Sequence, residues 1–308
     1  MSSSARAKVL CFLTSKLFAP ETTRWVSSLR IGVAVTLLIY AITLRVELPM
    51  FHSFGPAGLS GRELSEVVAR FESPVIPILD WVLTPAQRLG LSAATTIDLL
   101  WLTLLLSDLA LLFGFFSRPA AIACWLLHLM FAKSGALFAY GVENFITIGL
   151  FYLMLAPLPD ELSFDRLVRT RVPPPSPALS GFFRHALQLH LCFIYFFGGL
   201  TKAIGSGWWN GLSLWRALTR PPFNIIPPAV IADARPLLPV LGIAVWVIEL
   251  AFPIFIWPKQ TRALWLGLII SLHVGIALAM GMYLFACVAI VLNVAGFYSF
   301  SSEKVSCA

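Results

Sequence analysis

Residues His185 to Trp215 read HALQLHLCFIYFFGGLTKAIGSGWWNGLSLW. This is an apolar run of membrane length that carries Lys202 near its end and then breaks at Gly205-Ser206-Gly207, ahead of Trp208 and Trp209. Wound as a helix, it brings His185, Gln188, Cys192, Tyr195, Gly199 and Lys202 onto one stripe, because they recur at spacings of three and four. The remaining surface is mostly Leu, Ile, Phe and Ala. In a bilayer such a stripe faces the protein interior or a water-filled cavity, since an ionisable group in hydrocarbon costs on the order of 3 kcal/mol. A lysine near a helix end has a simpler outlet too. Its stem can lie along apolar surface while the ammonium reaches the headgroups beside a tryptophan belt.

Composition places the whole chain in the same environment. Of 308 residues, 58% are hydrophobic and only 12% charged, which is the balance of a polytopic membrane protein with no room for a large soluble domain. The net charge of +7 is no nucleic-acid signature, because the basic residues are spread over many loops and no basic, aromatic-interleaved patch exists. Cys11, Cys124, Cys192, Cys287 and Cys307 contain no Cys-x-x-Cys and mostly sit inside apolar runs. They read as packing residues, with neither a metal site nor a disulfide framework expected.

The expected fold is an all-α, polytopic transmembrane helical bundle of about eight spans with two outer caps. Residues 1–24 read as a cytoplasmic amphipathic lead-in, 25–300 as the transmembrane domain and 301–308 as a tail. The spans are expected near 25–44, 96–116, 120–140, 144–158, the opening stretch, 236–257, 263–279 and 282–300. Residues 48–94 and 210–235 carry too many prolines and turn residues to cross and read as the caps; 159–183 reads as a cytoplasmic loop. On this topology 13 of the 22 Lys and Arg residues fall on the side of the termini, so both termini are expected in the cytoplasm.

Depth along each span sorts the ionisable residues into two layers. Asp98, Lys133, Glu143 and Lys202 fall in the outer part, whereas Asp108, His128, Glu249 and His273 lie near the midplane. Two acids with two lysines, and two acids with two histidines, can each balance as a set. Such balance is what a bundle needs merely to bury these groups as polar glue. The outer layer also opens toward water under the caps, where a partly buried Lys202 could act as a base. A carboxylate of Glu143 or Asp98 beside it would instead keep it charged, as an anion clamp. There is no His-Glu-x-x-His, no Gly-x-Ser-x-Gly and no phosphate-binding glycine loop.

Ile194-Tyr195-Phe196-Phe197-Gly198-Gly199-Leu200-Thr201-Lys202, then Trp208 or Trp209 and Asn210-Gly211, resembles the central motif of the HTTM membrane-domain family, to which vitamin K-dependent gamma-glutamyl carboxylase belongs. Glu249-Leu250 with Pro253, and His273 followed by Met280-Gly281-Met282-Tyr283, resemble the next two motifs in the same order. Gly114 with Ser117-Arg118, and Leu162-Ser163-Phe164-Asp165, look like landmarks of that family as well. The resemblance implies that Lys202 is the base that deprotonates a reduced, vitamin K-like quinone. It also implies that His273 and Glu249 are intramembrane polar positions of the site, and that Glu143-Asn144 stands where the carboxylase has a second active-site histidine. Tyr195, Gln188, Asp98, Lys133, His128, Trp208 and Trp209 complete the candidate set as binding residues. No counterpart of the carboxylase's large lumenal domain is expected, and in length and plan the sequence resembles short bacterial members that mature secreted peptide toxins of the sporulation-delaying type.

Three readings follow. The first is a bacterial inner-membrane HTTM-type protein that modifies or matures a peptide or lipid-soluble substrate, with carboxylase- or epoxidase-like chemistry. The second is a non-enzymatic membrane partner in export, folding or immunity for a small secreted peptide or its precursor. The third is a quinone-linked, DoxX-like oxidoreductase subunit.

Overall fold

Apolar runs punctuated by Gly, Pro and Ser become helices with short connections. The computed structural model describes residues 17–52, 67–68, 70–71, 75–134, 141–168 and 173–299, and among these every regular element is helical. The contacts divide the chain into two units, Val26–Leu179 on one hand and Met1–Trp25 with Ser180–Ala308 on the other; they are called here the N-terminal and C-terminal units.

The N-terminal unit contains α1 (Arg24–His52, which begins just ahead of it), α2 (Asp80–Arg88), α3 (Ala93–Phe113), α4 (Ser117–Ser134), α5 (Val142–Leu155) and α6 (Phe164–Val168). Ser92 caps α3 by accepting the Thr95 N–H at 3.0 Å. The helix ends at Gly114 in the left-handed region, φ 71°, where glycine carries no steric cost. A Cβ at Gly114 would also lie 2.6 Å from Ser163 Cβ, so a side chain there is excluded twice over. The loop leading into α4 has its free N–H groups met from a distance. Asp165 accepts from Phe116 N at 3.1 Å and Ser117 N at 2.8 Å, the service an N-cap residue normally performs locally. Two motif fragments far apart in the sequence, Gly114/Ser117 and Ser163/Asp165, thus form one joint.

Arg30 of α1 locks that joint. Its guanidinium pairs with Asp160 at 2.8 Å and donates to the carbonyls of Leu111 at 2.9 Å and Leu112 at 2.6 Å in the last turn of α3, the Leu111 carbonyl also accepting the Gly114 N–H at 3.0 Å. A further bond reaches Leu162 O at 3.1 Å, and Ser27 donates to the same Asp160 carboxylate. Both charged side chains are fully enclosed, at 1% and 0% exposure. Arg118 repeats the device at the end of α5, donating to Met154 O at 2.7 Å and Ala156 O at 3.0 Å.

The C-terminal unit contains α7 (Pro177–Ile204, which begins just ahead of it), α8 (Ser206–Trp209), α9 (Leu212–Thr219), α10 (Pro228–Asp233), a 3-10 turn (Arg235–Leu237), α11 (Leu238–Phe255), α12 (Lys259–Met280) and α13 (Tyr283–Phe297). It uses the same kind of lock. Arg184 pairs with Glu21 at 2.9 Å and donates to Gly296 O at 3.1 Å and to Tyr298 O, closing the carbonyl end of α13.

Among the described residues, five helical stretches are long and apolar enough to cross a membrane: Arg24–Val46, Ala93–Phe113, Pro177–Ile204, Arg235–Phe255 and Lys259–Met280. They are consistent with a multi-pass membrane protein whose apolar faces contact lipid. α5 and α13 are apolar but shorter, at 14 and 15 residues. α1 runs on to His52, so the first residues expected in a cap from position 48 are helical. Most of 53–74 lies outside the described residues, as do 1–16 of the expected lead-in and the expected tail 301–308. The expected loop 159–183 ends early, because α7 starts at Pro177, a residue suited to a first helical turn. Segment 210–235 forms only the short helices α9 and α10, of eight and six residues.

Arg30→Met and Asp160→Asn should each cost about 3–5 kcal/mol, because each strands a fully buried charge. Thermal unfolding of the detergent-purified protein measures this; a transition unmoved by both substitutions would remove the pair from any account of stability.

Candidate functional site

Two adjacent glycines make the site possible. A Cβ at Gly199 would come within 2.6 Å of Leu250 N and 3.0 Å of Leu250 Cβ, so α7 and α11 cross closely only because residue 199 has no side chain. The crossing sets Glu249 beside the last turn of α7. A Cβ at Gly198 would stand 3.4 Å from Glu249 Oε2 and 3.7 Å from Lys202 Nζ. The space these glycines leave is taken by an ion pair.

Lys202 Nζ donates to Glu249 Oε2 at 2.6 Å, and its side chain is 24% exposed against 11% for the glutamate. The ammonium also reaches Gly198 O, one turn back along α7, at 3.4 Å. The indole of Trp208 lies 5.5 Å from Nζ, within cation–π range. Trp208 is held there because its carbonyl abuts Gly242 of α11. Trp209 turns away, donating to Ala203 O at 2.7 Å and packing its ring 4.9 Å from Trp246.

Two turns back along α7 lies a second polar group. Asn293 Nδ2 donates to Tyr195 Oη at 2.5 Å and to Ala289 O at 2.8 Å, and Tyr195 Oη lies 3.0 Å from His273 Nε2. Since the tyrosine oxygen accepts from Asn293, its own hydrogen is free to donate to Nε2. Which ring nitrogen of His273 carries the hydrogen depends on its tautomer, and the nitrogen away from Tyr195 is Nδ1. This Nδ1 is buried and has no hydrogen-bond partner among the described residues. Phe252 packs 4.7 Å from the Tyr195 ring and Phe285 5.6 Å from His273. Glu249 and Phe252 stand three apart on α11, so one face of that helix serves both polar groups. Gln188, farther back on the stripe, donates to Gly296 O at 2.6 Å.

The two-layer expectation is corrected here. Lys202, assigned to the outer layer, pairs with Glu249, assigned to the midplane. Helical side chains lean toward the helix N-terminus, so the long lysine reaches inward from its backbone position. The expected pairing of midplane acids with histidines does not form among the described contacts. His273 meets Tyr195, and His128 Nε2 lies 3.1 Å from Glu143 O. Neither oxygen of the wholly buried Asp108 has a hydrogen-bond partner among the described residues.

The candidate residues therefore separate by unit. Lys202, Glu249, Tyr195, His273, Gln188, Trp208 and Trp209 belong to the C-terminal unit; Glu143, His128, Lys133 and Asp98 belong to the N-terminal unit. There Lys133, Glu143, Trp81, Trp125, Asn144 and Thr147 help line a cavity of about 720 Å³, and Asp98 lies 3.8 Å from Arg45. Sequence reasoning missed Asn293, whose only signal is a single amide within the apolar run of α13. Among the described residues, no three His, Cys, Asp or Glu side chains gather as a metal site requires. Protein-family models, curated proteins and solved structures were compared with the chain, and none matches it.

Lys202→Met, Glu249→Gln and their combination form a double-mutant cycle. Each single change strands a partly buried charge, so the double variant should be more stable than the sum predicts, with a coupling of about 1–3 kcal/mol. Additive losses would mean that the pair is not formed in the folded protein. Tyr195→Phe should cost about 1–3 kcal/mol by leaving Asn293 and His273 without their shared partner, read in the same unfolding assay.

Proposed function

We propose that this chain is a bacterial inner-membrane protein of HTTM type, with eight spans, two outer caps and cytoplasmic termini. We further propose that Lys202 and Glu249 form an acid–base couple acting on a lipid-soluble or peptide substrate. The observation that carries the reading is the 2.6 Å contact between Nζ and Oε2 in an aromatic setting, with the lysine still partly open to its surroundings.

Moving one proton across that contact converts an ammonium and a carboxylate into a neutral amine and a neutral acid. In this reading Glu249 takes the proton and leaves Lys202 a free lone pair. The amine lone pair is then available to take an O–H or C–H proton from a bound substrate. The resulting ammonium lies beside the new anion and stabilises it. Trp208 lies within cation–π range of Nζ, and the Asn293–Tyr195–His273 group lies two turns back on the same helix face. The resemblance to the HTTM family supports a reduced quinone as cofactor; Lys202 and Glu249 would hold its hydroxyl, and the partly exposed Trp208 beside Nζ would offer an aromatic wall. When bound, it would supply the acidic hydroxyl and the oxygen chemistry that side chains lack.

A second reading is favoured by the closure of Lys202 on Glu249, since a fully paired lysine serves equally as structure. On that reading the chain is a non-catalytic membrane partner of a small secreted peptide.

Complementation of a deletion strain separates the two, with mass spectrometry of secreted peptides and extracted lipids as the readout. Lys202→Met should reach wild-type abundance in the membrane yet lose the modified species, and substitutions on the exposed face of α9 should leave that species intact. Full complementation by Lys202→Met would overturn the base role, and greater damage from the α9 variants would favour the binding partner.

A further inference from the structure

We propose that segment 206–238 of the C-terminal unit carries a seat for the phosphodiester headgroup of an anionic phospholipid. The inference is independent of any chemistry at Lys202. Gly211 has φ 79°, and a Cβ there would lie 2.7 Å from Leu238 Cβ, so the chain crosses tightly over the start of α11. α9 then leaves this crossing, and α10 and the 3-10 turn bring the chain back to it. The space between is a cavity of about 600 Å³ lined by Asn210, Leu212, Trp215, Arg235 and Leu238 among others, within the size range of small-ligand sites.

Its polar groups are donors. Asn210 Oδ1 is occupied by the Leu212 N–H at 3.0 Å, which orients the amide so that its Nδ2 hydrogens remain to be used. Arg235 has no ion pair or side-chain hydrogen bond among the described residues, and neither have Arg216 and Arg220 of the same segment. The only acid in 206–238 is Asp233, so the segment carries an excess of two positive charges. An anion therefore meets an unpaired guanidinium and an amide donor in one concavity.

The position selects a lipid over a small soluble anion. Arg235 is the first residue of a candidate membrane span, Arg235–Phe255, at the depth where headgroups lie. The apolar wall of the cavity, Leu212, Trp215 and Leu238, stands next to Leu237, Val240 and Leu241, which are 59%, 65% and 50% exposed. These three share one face of the span at spacings of three and four and offer an acyl chain a path leading from the cavity into the bilayer. Basic pockets flanking a span, with interfacial tryptophan beside them, suit anionic headgroups on these same grounds.

The test uses the full chain, purified in detergent and delipidated, with dioctanoyl-phosphatidylglycerol as the probe and native mass spectrometry as the readout. One phosphatidylglycerol should bind in preference to dioctanoyl-phosphatidylcholine. Arg235→Gln should weaken binding about fivefold or more, Arg235→Lys should recover part of it, and Arg216→Gln and Arg220→Gln, outside the cavity lining, should weaken it less. Unfolding temperatures confirm that the variants are folded. Equal binding of the two lipids, or an Arg235→Gln variant that binds as wild type, overturns the seat. Equal losses from all three arginine variants would show diffuse charge alone and overturn it as well. Displacement of the lipid by equimolar inorganic phosphate would show a small-anion site and overturn the lipid reading.

Discussion

A charge enclosed among apolar helices needs an opposite charge or a set of open carbonyls, and this protein is arranged around meeting that need. Arg30 meets it twice over, with Asp160 on one side and the carbonyl end of α3 on the other. The guanidinium suits the task because its five donors lie in one plane and can serve a carboxylate and several carbonyls at once. Around it Gly114, Ser163 and Asp165 close into a joint that sets where α3 ends and α4 begins. Arg184 does equivalent work in the other unit, with Glu21 and the carbonyl end of α13. Each unit thus closes one helix terminus with a buried arginine.

The Lys202–Glu249 pair answers the same constraint with a different outcome. A lysine offers a compact ammonium on a flexible stem, and it can give up its proton where an arginine cannot. Arginine holds the structural joints, and lysine stands where the chemistry is proposed. The glycines at 198 and 199 are the second requirement, since they let α11 come near enough for a 2.6 Å contact. Close helix crossing at small residues is a common solution within membranes, where packing and polar contacts carry the association. The Asn293–Tyr195–His273 group fills its part of the interface with mutual hydrogen bonds and leaves one histidine nitrogen without a hydrogen-bond partner among the described residues.

Much of the fold was legible in the residues alone. Apolar runs of membrane length, ended by Gly281 or broken by the prolines of 221–228, could be recognised because helix length and backbone freedom are local properties. The inward stripe of α7 was legible for the same reason: Cys192, Tyr195 and Gly199 are buried as its periodicity requires. Lys202 stood out because an ammonium in an apolar run has few explanations. Asn293 did not stand out, because a single neutral amide in a long apolar run is unremarkable until a tyrosine hydroxyl arrives opposite it.

Sequence by itself determined that the chain is helical, roughly where its long apolar helices run and which face of α7 turns inward, because these depend on periodicity and composition; several helix ends, those of α1 and α7 among them, were set by tertiary contacts. It did not determine the pairings. Counting residues from a span end measures the depth of a backbone atom, yet a lysine side chain reaches several ångströms back along its helix, and neighbouring helices are offset. Glu249 therefore met Lys202 across two depths that counting kept apart. Arg30 and Arg184 each lie near the start of an apolar run, a position that in sequence is indistinguishable from that of a flanking charge. Only the tertiary structure brought the carbonyl ends of α3 and α13 to them, and enclosure followed from that non-local encounter.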